Sequence, residues 1–228
     1  MKKLFAIIII VLSYNSAQAQ LFSGESVLNQ QNFDQQRWSW GYLLGFNSYD
    51  FNFDFIDYDN SLTSKDPIVE KSVGFNVGLI GNLKLTNNLD LRLEPGVSFN
   101  TRFVRPTTTI EVDEVNSTYV HIPLLLKFSA NRLNNFKPFV VGGLSTSINL
   151  SSNEDNPDAV IRLKRDTYNY EIGFGVDLYL YYFKLTPSIR GVFTINDELV
   201  EESKNNTSYL RNVDKMSSRA IFINFTFQ

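Results

Sequence analysis

The chain has 228 residues, a formal net charge of −3 and no cysteine. The absence of cysteine excludes a disulfide framework and a thiol for lipid attachment, and the acidic balance argues against nucleic acid as a partner. Without its first 19 residues, the chain has a length that fits one all-β barrel or sandwich domain.

Residues 1–19 have the features of a secretory signal peptide. Lys2 and Lys3 give a basic start, residues 4–12 are apolar, and residues 16–19 form a small-residue cleavage site. The apolar run is shorter than the roughly 20 residues that a membrane helix needs. We therefore predict cleavage between Ala19 and Gln20, and any membrane residence of the mature chain must come from a barrel.

Residues 20–36 are polar, rich in glutamine and without strong periodicity. We predict a flexible N-terminal lead with one short helical turn. From Arg37 onward large apolar residues recur at every second position, which is the period of a β-strand. Eight such runs can be counted, in the ranges 38–53, 72–85, 89–103, 117–129, 137–149, 168–180, 183–193 and 220–227.

Connections between these runs alternate in length. The short ones are 86–88, 130–136 and 181–182, and the long ones are 54–70, a stretch after residue 103, 150–165 and 196–215. Long loops at one end and tight turns at the other are typical of an up-and-down outer-membrane barrel. An even number of strands then places both termini on the tight-turn side, which is the periplasm.

The apolar face of such strands could point inward, as in a soluble sandwich or lipocalin-type barrel. Two features favour the outward arrangement. The less apolar face is rich in glycine, which suits a crowded small-barrel lumen. Aromatic residues also cluster toward strand ends, as belts at two lipid–water interfaces require. The predicted belts include Trp38, Trp40, Tyr42, Tyr49, Phe51, Phe53, Tyr179, Phe225 and Phe227.

The predicted fold over residues 37–228 is thus all-β, an eight-stranded antiparallel up-and-down transmembrane β-barrel of the outer-membrane type. We take Trp38, Trp40, Tyr42, Phe225 and Phe227 as its aromatic girdle. Proline cannot donate to a strand ladder, so we expect local bulges at the four prolines within or beside predicted strands. These are Pro95, Pro123, Pro138 and Pro187.

Charged residues of both signs fall on the predicted lumen face. Such groups persist in a narrow interior only when they are paired and hydrogen-bonded. We therefore predict a structural ion network of Arg92, Glu94, Arg102, Glu171, Asp177, Lys184 and Arg190.

Sequence features of an enzyme are weak. A catalytic dyad needs a nucleophile with a base in reach, and His121 is the only histidine. We interpret His121 as a packed or hydrogen-bonded residue, and predict no catalytic residue, cofactor or metal site, because no phosphate, zinc or calcium motif is present. An open pore is also disfavoured, since eight strands leave little room once side chains fill the interior.

Three segments resemble one family. They are "FDQQRWSWGYLLGFNSYDFNFDF", "TYVHIPLLLKFSANRLNNFKPFVVGG" and the carboxyl end "INFTFQ". Together they resemble the PorT family, an outer-membrane β-barrel component of the type IX secretion system of Bacteroidetes. The chain departs from the usual barrel pattern at its last residue, Gln228, which follows the aromatic Phe227.

The resemblance covers nearly the whole mature chain and implies a non-enzymatic role in protein export across the outer membrane, linked in some species to gliding motility. The implied partners are outer-membrane lipid and other type IX secretion proteins, with no nucleic acid and no small-molecule substrate. A passive small-solute porin and a membrane-embedded enzyme are the alternatives.

Overall fold

The computed structural model describes residues 27–56, 67–106, 113–156, 161–200 and 213–228. The predicted signal peptide and the Ala19/Gln20 cleavage site lie outside these ranges. Within them, no helix combines the length and the apolar character needed to cross a membrane.

In the described residues, ten β-strands form a single antiparallel sheet, and the 3-10 turn Phe33–Gln35 precedes the first of them. The strands are β1 Trp38–Phe55, β2 Pro67–Lys71, β3 Val73–Lys84, β4 Leu89–Leu93, β5 Gly96–Pro106, β6 Asp113–Ser129, β7 Phe136–Asn149, β8 Asp166–Tyr179, β9 Lys184–Thr194 and β10 Val213–Phe227.

The sheet closes on itself because β1 pairs with β10 on one side and with β3 on the other. β2 and β3 lie end to end in one segment of the wall, because both pair with β5. β4 and β5 likewise lie end to end, because both pair with β3 and with β6. The ten strands therefore make eight wall segments, which we call staves. The predicted closed antiparallel barrel is confirmed, with two of its eight staves interrupted.

Side chains alternate between the two faces of the wall, as the period of two requires. In β3, Phe75 and Leu79 are exposed, whereas Asn76 and Asn82 are buried in the lumen. The same pattern recurs in β8, where Tyr170 and Phe174 are exposed and Glu171 is buried. A wall with so many large exposed apolar side chains needs hydrocarbon around it. The structure therefore has the predicted outward apolar face.

Four aromatic residues that we assigned to the belts point inward instead, and one of them, Phe53, packs half-buried against Phe51 at the barrel mouth. Tyr49, Phe51 and Tyr179 are only 5%, 3% and 1% exposed. In β1 the outward face carries the even-numbered residues from Trp38 onward, so an odd-numbered aromatic side chain lies in the lumen. The belt prediction is wrong for these four residues because proximity to a strand end does not decide which face a side chain occupies.

The two ends of the barrel differ. The turn end carries the connections 85–88, 130–135 and 180–183 together with residues 27–37 and Gln228, and the loop end carries the connections that follow β1, β5, β7 and β9. Strands reach further toward the loop end than predicted, because β1 continues to Phe55 and β2 begins at Pro67, both within the range 54–70 that we expected to be a loop. Apolar side chains there, including Phe55 and Val69, pack against a buried cluster at the barrel mouth.

The expected bulges at the prolines are absent. β6 pairs with β4 and with β5 in the same register. Pro95 and Pro123 lie where the pairing passes from β4 to β5, and the constant register shows that no residue is inserted there. Pro187 lies in a similar gap between β8 and β9, and Pro138 is paired without a shift. The chain instead has one extra residue, relative to β5, between the end of β2 and the paired part of β3. The pairings of β2 and β3 with β5 therefore differ in register by one residue.

Candidate functional site: the filled lumen and its two ends

A chain of buried ion pairs crosses the middle of the lumen. Nη1 of Arg190 lies 2.8 Å from Oε2 of Glu94, and Nε of Arg190 lies 3.0 Å from Oε2 of Glu171. Nη1 of Arg92 lies 3.2 Å from Oε1 of Glu94. Four of the seven predicted network residues are thus joined in one cluster, which we call the central network. Pairing of this kind offsets the cost of burying each charge.

His121 extends the central network. Its Nε2 lies 2.8 Å from Oε1 of Glu171 and its Nδ1 lies 2.7 Å from Oγ of Ser147, so both ring nitrogens have partners. A serine, a histidine and a carboxylate in this order resemble a hydrolase triad. The cavities beside Ser147 and His121 measure only about 10 Å³ each, which is about the space of one water molecule. A substrate therefore has no room at this serine.

A second ion cluster lies nearer the turn end. Nζ of Lys127 pairs with Oδ2 of Asp177 at 2.5 Å, and Thr186 donates to Oδ1 of the same carboxylate at 2.8 Å. Lys184 also lines this region, with its Nζ 4.2 Å from the ring centre of Phe33. Asp177 and Lys184 therefore lie together, and this cluster meets the central network at the ring of Phe139, whose centre lies 4.2 Å from Nζ of Lys127 and 5.4 Å from the guanidinium of Arg92.

Arg102 is held in a different way from the other predicted residues. It is fully buried and donates to the hydroxyls of Ser218, Ser117 and Tyr119, each at 2.9 Å. Its guanidinium lies 3.8 Å from the ring centre of Phe51. Hydroxyl groups and an aromatic face thus solvate this cation in the place of a carboxylate.

The loop end is closed by apolar side chains from two loops. Ile161, Leu163 and Leu199 fold into the barrel mouth, and Leu163 forms a β-bridge with Leu199. We call this the loop plug; it packs against Phe51, Val104, Val213 and Met216. Below it, buried Glu198 accepts two hydrogen bonds of 2.8 Å from the backbone and side chain of Ser218.

The turn end is closed by residues 27–36, which we call the lead cap. Tyr179 donates a 2.6 Å hydrogen bond to Oδ1 of Asp34, and Nη1 of Arg132 lies 3.3 Å from Oδ2. The ring of Phe33 meets Tyr179 edge-on at 6.3 Å. Partial burial opposes ionisation of Asp34, but the Tyr179 hydrogen bond and the nearby Lys137 and Arg132 outweigh it and hold the pKa of Asp34 below its ordinary value.

No group of three or more metal-ligating side chains occurs among the described residues. What the site offers is a lumen filled by paired charges and closed at both ends. A closed antiparallel barrel with an apolar outer wall and a polar interior is the architecture of an outer-membrane β-barrel protein.

The sequence profile of the outer membrane protein beta-barrel domain family matches residues 18–200, and the chain belongs to this family. No curated protein sequence matches the chain significantly.

Several solved barrels are similar in structure. The outer membrane protein OprG from Pseudomonas aeruginosa is 12% identical over 82% of this chain and 94% of its own, with a TM-score of 0.47. Neisserial surface protein A is 10% identical over 84% and 98%, with a TM-score of 0.47. Ail, the attachment invasion locus protein of Yersinia pestis, is 11% identical over 82% and 96%, with a TM-score of 0.39. Family membership rests on the sequence profile and not on these likenesses.

Proposed function

We propose that this protein is a non-conducting, non-enzymatic component of the type IX protein secretion machinery, serving in its assembly or as an accessory, and in gliding species also in motility. The observation that carries the proposal is the filled lumen. The resemblance to the PorT family is the support for type IX secretion as the process. The closed interior indicates that the barrel acts through its outer surfaces.

Passage of a solute would require several buried groups to move at once. The ion pairs of Arg190 span the middle of the lumen, the loop plug covers one end and the lead cap covers the other. Opening such a lumen would strip buried charges of their partners, and each broken pair costs about 3–5 kcal/mol. The passive porin is therefore the weaker alternative.

The proposal includes a topology. Residues 1–19 direct export and are removed between Ala19 and Gln20. Both termini then lie in the periplasm, and the girdle of Trp38, Trp40, Tyr42, Phe225 and Phe227 marks the membrane interface near the turn end. Partner proteins dock on the lipid-facing wall or on residues 20–36.

A complementation experiment tests the proposal. A strain without the gene should secrete type IX cargo poorly, and the full chain should restore secretion. A variant lacking residues 20–36 but keeping the signal peptide should reach the outer membrane at the same level and restore less. Normal secretion by the strain without the gene would refute the role in secretion, while full restoration by the shortened variant would remove only the lead from the docking surface.

The Ser147–His121–Glu171 arrangement is the one observation that favours an enzyme. Because His121 would be its general base, His121→Ala would abolish any hydrolytic activity. Under the proposal, His121→Ala keeps secretion at the level of the wild type once equal amounts of barrel are present. Loss of secretion at equal barrel levels would favour the enzyme.

A further inference from the structure

The barrel contacts the lead cap through hydrogen bonds, an ion pair and an aromatic contact, which are the contacts by which proteins bind short peptides. We infer that the turn end is a recognition site for a short aromatic–acidic peptide segment, and that residues 29–34 of the chain occupy it as a tethered ligand that a partner protein's segment displaces. This site at the turn end does not depend on which machinery the barrel serves.

The barrel side of this site is organised without the lead. Arg132 donates from Nε to the carbonyl of Asn134 at 2.6 Å and from Nη2 to Oδ1 of Asn135 at 3.0 Å. Its guanidinium lies 3.7 Å from the ring centre of Tyr179, whose own backbone N–H donates to Asn135 at 2.9 Å. Arg132 and Tyr179 therefore keep their positions through contacts with the barrel, and a preformed site binds at lower entropic cost.

The lead meets this site at defined positions. The backbone N–H of Asn29 donates to Oδ1 of Asn135 at 2.9 Å, and its Nδ2 donates to the carbonyl of Tyr179 at 3.0 Å. Phe33 lies between the ring of Tyr179 and Nζ of Lys184, and the carboxylate of Asp34 contacts Tyr179, Arg132 and Lys137. The site thus selects an asparagine, an aromatic residue four positions later and an acidic residue directly after that.

The lead has little structure of its own to hold it in place. Its single turn, Phe33–Gln35, contains no fully buried residue, and Asn32 makes no side-chain capping bond at its start. A single turn of this kind is marginal in water. Residues 29–34 are therefore held by the contacts with the barrel, and a competing segment that reproduces those contacts can replace them.

Charge favours an acidic competitor. Six basic residues surround three carboxylates at this end, a formal charge of 6 − 3 = +3 that becomes 6 − 2 = +4 when Asp34 leaves. An acidic segment is attracted to such a surface. The basic residues are Arg37, Lys84, Lys127, Arg132, Lys137 and Lys184, and the carboxylates are Asp34, Asp90 and Asp177.

Peptide binding to the barrel in detergent micelles tests the inference. The labelled peptide VLNQQNFDQQ, which copies residues 27–36, is titrated into the wild type and into a Phe33→Ala, Asp34→Ala variant, and binding is followed by fluorescence anisotropy. We expect saturable binding to the variant. The wild type should bind far more weakly, because its tethered segment competes at an effective concentration on the order of millimolar.

Adding Arg132→Ala to the variant should abolish binding, and Arg219→Ala, an exposed arginine of the outer wall, should leave it unchanged. A peptide with asparagine in the place of Asp34 should bind more weakly to the unchanged variant, which tests the same contact without altering the barrel. Equal binding to wild type and variant, indifference to Arg132→Ala, or displacement by inorganic phosphate at the concentration of unlabelled peptide would each overturn the inference.

Discussion

Arg190 and Glu94 form an ion pair across the full width of the barrel, with 2.8 Å between Nη1 and Oε2. Arg190 belongs to β9, in the seventh stave, and Glu94 follows β4 in the third, so the two residues come from opposite sides of a ring of eight. Both side chains are buried. The pair therefore ties two walls together and occupies the position where a pore would run.

Arg190→Ala should destabilise the barrel strongly. It leaves the carboxylates of Glu94 and Glu171 buried without their shared cation, and breaking a buried pair in this way costs about 3–5 kcal/mol. Urea unfolding in micelles measures the loss. The control is Arg219→Ala, because the side chain of Arg219 is half-exposed and Asp50 keeps Lys71 as a second partner at 3.2 Å, so the loss should be about 0–1 kcal/mol. Similar losses for both variants would contradict the account of the central network.

Two adjacent glycines give a matched test of the crowded lumen. A Cβ at Gly143 would lie 2.2 Å from the carbonyl oxygen of Leu124 and 2.8 Å from Cα of Leu125, whereas a Cβ at Gly142 would meet only the carbonyl oxygen of Glu171, at 3.5 Å. Gly143→Ala should therefore cost about 1–3 kcal/mol, as overpacking does. Gly142→Ala should stay within about 0.5 kcal/mol of the wild type. The same unfolding experiment compares them, and equal stability would mean that the staves can separate locally.

Planar bilayers should show no stepwise conductance from the full barrel. Removal of residues 20–36 should also leave it closed, because the loop plug and the central network stay in place. A loop-plug variant that also lacks Arg190 is the positive control, since it removes two of the barriers. Steady conductance by the wild type would favour the passive porin.

Docking of the lead should depend on pH through Asp34. The pKa of Asp34 is lowered in the docked state, so the contribution of its carboxylate is fully present above the ordinary pKa of about 3.9 and is lost as the pH falls through the lowered value. A fluorophore on Gln31→Cys reports docking, because the chain has no other cysteine. Its anisotropy should fall at low pH, and Asp34→Asn should remove this step. An unchanged pH profile in Asp34→Asn would assign the effect to another group.

The period of two in the sequence was sufficient to predict the strands and to separate the two faces of the wall. It places Phe75 and Asn76 on opposite faces without any knowledge of the partner strands, because successive side chains of a strand point in opposite directions. The glycine-rich composition of the less apolar face then assigned that face to the lumen. The same rule places Tyr49 on the face of Asn47, which lies in the lumen, although aromatic character favours the membrane interface.

The site was less accessible to sequence reasoning. Asp34 and Tyr179 are 145 positions apart, and no local pattern links them. The choice of Glu94 as the partner of Arg190 likewise depends on which staves face each other across the ring, which strand periodicity does not encode. The sequence predicted which charges enter the lumen, but their pairing is a property of the closed barrel.

Tryptophan fluorescence tests most directly whether hydrocarbon surrounds the wall. Trp38 and Trp40 are the only tryptophans of the chain and lie stacked and exposed on the outer face of β1, 6.2 Å apart. In bilayers of lipids brominated on their acyl chains, their emission should be quenched strongly, while aqueous iodide should quench it little. Strong quenching by iodide with no effect of the brominated lipids would contradict the lipid-facing wall and, with it, the proposed role in the outer membrane.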